Sequence, residues 1–354
     1  FNPFVHRRWR VLNFLTDFWR LNRRMHNKSF TADNQATIIG GRNVGDEYFD
    51  AGQGVSFVDL DVLAIGPVVN DVSRDFDRYW SSDSSYPAGQ VLPSVSRSAM
   101  AEVTAAASRV EQEPAAIAYM QAIANSKYVQ QVLAGQLPFE WATVQMVSDD
   151  PAKGLGLATD DELLWTRLKK ILQAPTLELE LVSPYFVPGQ EGVAYFSALA
   201  RQGIKVTILT NSLAATDVAV VHAGYAKRRK PMLEAGVSIF EMEPEFSLAP
   251  TKGHGPLGSS SASLHAKTFS IDRSRVFVGS FNFDPRSQRL NTELGFVIDS
   301  PAMAQAIADG FATVIPARSY KVGLNEAGAL QWKQQRNGEE VLYNQEPGTR
   351  FWLR

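Results

Sequence analysis

No cysteine occurs among the 354 residues, which excludes structural disulfides, thiolate metal sites and a cysteine nucleophile together. The redox compartment stays open, because a chain without thiols survives either state. An excess of one charge is also missing: 35 Lys and Arg stand against 37 Asp and Glu, a formal net charge of -2. Proteins that coat nucleic acid regardless of sequence are strongly basic, so nucleic acid is not an expected partner. Long apolar runs are absent too. Stretches such as residues 62–69 fall far short of the ~20 residues that a membrane-spanning helix needs. The five histidines form no His/Glu pair at helical ligand spacing, so neither a metal nor a cofactor is expected.

What is present is a repeat. A shift of 239 positions lays His26 on His265, Lys28 on Lys267, Phe30 on Phe269, Asp33 on Asp272, Gly40 on Gly279 and Asn43 on Asn282, without a gap. Each copy therefore carries His-x-Lys-x4-Asp followed by Gly and Asn at identical spacing. Alternation around the second motif indicates a strand with His265 and Lys267 on one face. Further strands are expected at 275–280 and 293–298, with a helix over 301–313. The first copy repeats the order: strands at 25–31, 36–40 and 59–65, then a helix near 68–80. Upstream of the second motif, strands at 177–183, 205–210 and 237–242 alternate with helices at 192–201 and 218–235, the pattern of a mostly parallel sheet. Residues 245–262 read as a loop rich in Gly, Ser and Pro. Segment 94–136 is Ala-rich, helical and expected to serve packing, and 153–156 reads as a loop. Only 25 residues precede His26, too few for the strands and helices that precede His265. A first lobe lacking its N-terminal part is expected over 1–150, and a second lobe with the C-terminal tail over 151–354.

Two His, two Lys and two Asn supply what metal-free cleavage of a phosphodiester requires. One imidazole attacks phosphorus, and the other protonates the leaving oxygen and then deprotonates the acceptor. Lys28 and Lys267 clamp the non-bridging oxygens, and Asn43 and Asn282 add neutral donors. A nucleophilic imidazole needs a carboxylate on its other nitrogen; Asp59 and Glu293, at the start of the third strand of each copy, are the candidates. Asp33 and Asp272 complete the catalytic motif, although their place at a strand end suits bracing the loop or the Lys. Ser280 joins the supporting set, and Gly41 at its equivalent position implies thinner contacts in the first copy.

The blocks HNKSFTAD…GGRN and HAKTFSID…GSFN resemble the two signature blocks of the phospholipase D superfamily. Within it, DFWRLNRRMHNKSF, GGRNVGDEYF, DLDVLAIGPV, SPYFVP, TNSLAATDVAVVHAGYAKRRK and GSFNFDPRS…LNTELGFVI resemble the bacterial cardiolipin synthases, the C type above all. The resemblance implies a duplicated α/β fold with two mixed, mostly parallel sheets flanked by helices, a pseudo-twofold axis and one active site between the lobes. It implies phosphatidyl transfer through phosphohistidine, from phosphatidylethanolamine or phosphatidylglycerol to phosphatidylglycerol. The partners it implies are anionic and zwitterionic phospholipids and a membrane surface, with peripheral association at the bacterial cytoplasmic membrane. A phospholipase D hydrolase or a nuclease using water would share the chemistry.

Outside the motifs, Arg7, Arg8, Arg10, Arg20, Arg23 and Arg24 mingle with Trp9, Phe14, Phe18 and Trp19, a pattern that suits either a membrane surface or a loop that packs its aromatics under the neighbouring lobe and solvates its arginines. His222 reads equally as a structural or a substrate-contacting residue, with Asp217 beside it free for a headgroup. His6 and His254 read as solvent histidines, and residues 227–230 as a solvated helix end. Tyr185, Phe186 and Pro188 follow a strand that ends at the cleft, where they would line a channel or cap the sheet.

Overall fold

A computed structural model describes residues 1–4, 9–49, 55–244, 261–336 and 338–349. The strands in chain order are β1 (Ser29–Ala32), β2 (Ala36–Gly40), β3 (Val55–Val58), β4 (Asp61–Ile65), β5 (Thr143–Ser148), β6 (Glu178–Val182), β7 (Lys205–Asn211), β8 (Ser238–Met242), β9 (Ser261–Leu264), β10 (Thr268–Ile271), β11 (Arg275–Gly279), β12 (Leu294–Asp299), β13 (Ser319–Leu324), β14 (Leu330–Arg336) and β15 (Glu339–Tyr343).

The repeat is visible in the hairpins. β1 and β2 turn over Asp33 and Asn34 at φ 51° and 55°, and β10 and β11 over Asp272 and Arg273 at φ 51° and 49°. In each turn the fourth residue donates back to the first, Gln35 to Ala32 and Ser274 to Ile271. Two successive positive φ values give the turn a twist that matches the strands. Aspartate and asparagine tolerate that conformation better than other residues with a side chain.

β1, β2 and β4 form a small sheet, and β10, β11 and β12 occupy the equivalent order inside a ten-stranded sheet, β15-β14-β13-β8-β7-β6-β10-β11-β12-β5. The expectation of two mixed, mostly parallel sheets is corrected: the large sheet is mixed but mainly antiparallel, and the small sheet is antiparallel throughout. Parallel pairing in the large sheet is confined to β6–β7 and β7–β8, where Gly189–Arg201, and then Ala219–Ala226 with Arg229–Glu234, make the crossovers. Parallel neighbours need such a crossover, whereas hairpins produce antiparallel ones. β5 pairs with β12, so the large sheet already takes up the chain at Thr143, ahead of the expected division at 150. The other edge of β10 is paired with β6; β1 has no second neighbour among the described residues.

Alternation along the strands fills two cores. One face of the large sheet buries Leu179, Leu181, Ile208, Phe269 and Phe277 beneath Leu164, Leu168, Phe196 and Tyr225 of the covering helices. On the other face, Val182, Leu209 and Met242 lie under Phe311 and Ile315. The small sheet packs Ile39 and Ala64, with Val68 and Val72 of the helix Val68–Trp80, against Leu294, Phe296 and Ile298 of β12. The Ala-rich segment forms the helices Arg97–Glu111, Pro114–Ala124 and Lys127–Leu133, none of which buries a residue. The packing role expected of it is therefore not seen. The loop expected at 245–262 lies outside the described residues except for its last positions, which belong to β9.

Candidate active site

Backbone pairing, more than side-chain packing, positions the two imidazoles. β3 and β9 run parallel with Val58 opposite Leu264, so the next residues, Asp59 and His265, emerge side by side. The amides of His265 and Ala266 donate to the Val58 carbonyl at 2.8 and 3.0 Å. Asp59 Oδ2 thereby reaches His265 Nδ1 at 2.7 Å. A parallel bridge between Met25 and Thr292 does the same for the other pair. The His26 amide donates to Thr292 at 2.9 Å, and the Thr292 amide donates to Arg24 at 2.9 Å. Glu293, one residue further on, places Oε2 at 2.7 Å from His26 Nδ1. Each imidazole thus takes its carboxylate from the opposite copy of the repeat. A carboxylate on Nδ1 holds the proton there and leaves Nε2 with its lone pair.

The surroundings of the pairs differ. His265 is 4% exposed and lies among the rings of Tyr48, Phe57 and Tyr185, at centroid distances of 5.0, 5.2 and 6.3 Å. Burial pushes its pKa down to about 4 against the pull of Asp59, so the ring is neutral at pH 7. The His26 side chain is 23% exposed. For Asp59, burial acts to raise the pKa, but the His265 hydrogen bond and the Lys267 charge prevail and leave it below the usual value. For Glu293, burial is again outweighed, here by the charge and hydrogen bond of His26 and then by Lys28 and Ser280.

Both lysines stand beside their histidines. Lys28 Nζ donates to the His26 carbonyl at 2.9 Å; Lys267 Nζ donates to the His265 carbonyl and lies 2.9 Å from Nδ1. Although the strand is broken across residues 265–267, His265 and Lys267 still share a side. Burial lowers the pKa of Lys28 to about 8 and that of Lys267 to about 7. Lys28 and Lys267 feel each other and both carboxylates, so motif residues of the two copies occupy one electrostatic neighbourhood.

The supporting residues divide. Asn43 Nδ2 donates to Tyr48 Oη at 2.6 Å, and Asn282 keeps a buried Oδ1 without a hydrogen-bond partner among the described residues. Ser280 Oγ donates to Glu293 Oε2 at 2.6 Å, so its hydroxyl serves the carboxylate. At the equivalent Gly41, an added Cβ would lie 2.3 Å from Asp59 Oδ1. The shorter acid rests on the glycine and the longer one on the serine. Asp272 lies away from the imidazoles, at the far end of its strand. Its carboxylate accepts from the amides of Thr176, Leu177 and Glu178 at 2.7 to 3.1 Å and from Thr176 Oγ1 at 2.8 Å. It braces the entry to β6 and touches neither Lys267 nor His265. Asp33 is exposed in the matching turn. The motif spacing counts both as catalytic, but about four residues of extended chain, at ~3.3 Å each, separate them from the lysines.

Residues that the sequence did not flag stand behind Glu293. Ser287 Oγ donates to its Oε1 at 2.7 Å, and its amide donates to Asp149 at 2.8 Å. Asp149 is paired with the buried Lys153 at 2.9 Å, which also donates to the Ser287 carbonyl at 2.7 Å. Lys153 falls in the loop expected at 153–156, where the local sequence carries no sign of burial. Arg229, within the segment 227–230 expected to be a solvated helix end, is instead buried and bonds Glu241 and Glu346. His222 is buried, its Nε2 lying 2.6 Å from Glu346. Phe186 belongs to the core. His6, His254, Arg7, Arg8 and the Arg10 side chain lie outside the described residues.

The family described as cardiolipin synthase, PLD-like domain, matches residues 168–315. Over the whole length, the chain is 47% identical to cardiolipin synthase C of Escherichia coli (strain K12), and it spans 75% of that protein. The chain belongs to the phospholipase D-like cardiolipin synthases. That family is one of phosphatidyltransferases, and the assignment carries the enzyme class with it. Cardiolipin synthase A of Pseudomonas syringae pv. syringae is 25% identical over 81% of this chain and 47% of its own length. Among solved structures, the phosphatidylserine synthase of Haemophilus influenzae Rd KW20 aligns with a TM-score of 0.54 at 15% identity, covering 84% of this chain and 63% of that one. That likeness establishes the fold alone. The stretch that matches the family model contains His265 and Lys267 of this cardiolipin synthase, whereas His26 and Lys28 lie in the part covered only by the whole-length relative.

Proposed function

We propose that this protein transfers a phosphatidyl group in two metal-free steps through a phosphohistidine, using the crossed pairs His26–Glu293 and His265–Asp59. In the first step, Nε2 of one imidazole attacks the phosphorus of a donor phospholipid. The bond to the headgroup oxygen breaks, and the other imidazole, as imidazolium, gives that oxygen its proton. In the second step, that imidazole removes the proton from a hydroxyl of phosphatidylglycerol. The resulting oxygen attacks the phosphohistidine and releases the first imidazole. Lys28 and Lys267 neutralise the non-bridging oxygens, with Asn43 and Asn282 as neutral donors. The donors are phosphatidylethanolamine or phosphatidylglycerol. Two lobes, dividing near Thr143, contribute one imidazole and one carboxylate each.

The observation that supports this most directly is the geometry of the carboxylates. Both accept from Nδ1, so both Nε2 atoms are left for chemistry, and both lysines lie beside the same rings. Peripheral attachment at the bacterial cytoplasmic membrane is the matching location. Trp9, Leu15 and Trp19 around the helices Arg10–Thr16 and Phe18–Leu21 are each more than 70% exposed, which suits an interface rather than water. Among the described residues no helix is long and apolar enough to span.

The test uses the full-length protein. His26→Ala and His265→Ala should each abolish formation of cardiolipin while leaving the far-ultraviolet circular dichroism intact. A donor carrying ³²P in its phosphate should leave acid-labile, base-stable label on the unsubstituted protein. Turnover in both variants would overturn the proposal.

A further inference from the structure

The phosphate site explains the histidines and lysines, but not a carboxylate at its rim. Asp217 lies in the loop after β7 and Tyr185 just after β6, at the carboxyl ends of two neighbouring parallel strands, the place where open α/β sheets bind ligands. Tyr185 Oη donates to Asp217 Oδ2 at 2.7 Å, and the Tyr185 ring stands edge-on to His265, 6.3 Å away at 87°. The charge of Asp217 is felt at Lys267 and at Tyr48, so it reaches into the site. Among the described residues no Lys, Arg or His forms an ion pair with it, and it is exposed.

Both partners are held in place. The amides of Ala215 and Thr216 bond Ser212 Oγ and its carbonyl at 3.2 and 3.0 Å. The carbonyl of Tyr185 accepts from Ser183 Oγ at 3.1 Å, and the Val187 amide donates to Phe283 at 2.8 Å.

An unpaired carboxylate beside an anion site opposes binding of a phosphodiester unless the substrate brings a positive group to meet it. A carboxylate together with an aromatic ring is a receptor for an ammonium group: the acid pairs with the charge and the ring face attracts it. We infer that Asp217 and Tyr185 form a headgroup subsite that reads a primary ammonium on the alcohol esterified to the donor's phosphate. A neutral polyol headgroup would find only the hydrogen bond. The inference rests on the proposed transfer reaction and specifies how that site chooses its donor.

Asp217→Asn keeps the shape and the acceptor for Tyr185 but removes the charge. Transfer to phosphatidylglycerol by the full-length protein would be followed from phosphatidylethanolamine and, separately, from labelled phosphatidylglycerol, both in mixed micelles. The ratio of the two kcat/KM values should fall at least tenfold in the variant, mainly through KM, because the ammonium contact exists before and during the chemical step. Tyr185→Phe, which keeps the ring, should lower the ratio less. Equal losses with both donors, or an unchanged ratio, would overturn the subsite while leaving the transfer reaction standing. So would an unsubstituted protein that accepts only phosphatidylglycerol as donor. No transfer from either donor would overturn the parent reading and the subsite with it.

Discussion

The contact between Gly41 and Asp59 carries a prediction that can be worked through from distances. Gly41→Ala puts a methyl carbon 2.3 Å from Asp59 Oδ1. To regain ordinary contact the carboxylate must retreat by about 1 Å. Its 2.7 Å bond to His265 would then lengthen to roughly 3.7 Å, which is no longer a hydrogen bond. A hydrogen bond to a charged group contributes about 1.5–3 kcal/mol, or roughly ten- to hundredfold in rate if the loss falls on the transition state. A displacement of ~1 Å in positioning can by itself cost about a hundredfold. We therefore expect the full-length Gly41→Ala protein to lose about a hundredfold in kcat with KM little changed. Ser280→Gly, its counterpart in the other copy, deletes one 2.6 Å bond to Glu293 without moving the acid and should cost about tenfold. Cardiolipin formation from fluorescent phosphatidylglycerol measures both, with thermal unfolding as the check on folding. A Gly41→Ala protein within threefold of the parent would refute the claim that Asp59 must sit where it does.

Burial lowers the pKa values of Lys28 and Lys267 to about 8 and 7, so their clamp loses charge as pH rises through that window. KM for a phosphodiester lipid, whose own charge is constant there, should rise above pH about 8, and Lys28→Arg should remove part of that rise because guanidinium stays protonated. The stability effect has the opposite sign. The unfolded chain holds these protons up to about pH 10.4, so stability from these two groups grows with pH above 7 and is lost as pH falls through 8 and then 7. Lys153→Met should destabilise by about 3–5 kcal/mol, because it leaves Asp149 buried without its cation; a small shift in the thermal midpoint would contradict the burial of that pair. Asp272→Ala should lower stability by about 1–2 kcal/mol, through lost amide acceptors and a left-handed backbone that alanine resists. Its turnover at permissive temperature should stay within about twofold of the parent; a thousandfold loss would return Asp272 to the chemistry.

Much of this molecule could be read without coordinates. The 239-residue shift paired the motif residues because both hairpins obey one local grammar, in which a two-residue periodicity leads into a turn with positive φ. The helix expected near 68–80 appears as Val68–Trp80, since its apolar spacing and the preceding proline are local signals. The candidate carboxylates were legible from their place at the start of the third strand. Which imidazole each would meet was not. That depends on Val58 lying beside Leu264 and Met25 beside Thr292, pairings more than 200 residues apart that no local pattern encodes. The same limit hid the Lys153–Asp149 pair, the burial of Arg229 and the approach of Tyr185 to Asp217. A sequence window records how a residue sits relative to its chain neighbours. Desolvation and charge pairing depend on neighbours brought in by the tertiary fold, so the sequence alone determined the candidate groups, and the fold decided their partners, their protonation and their position.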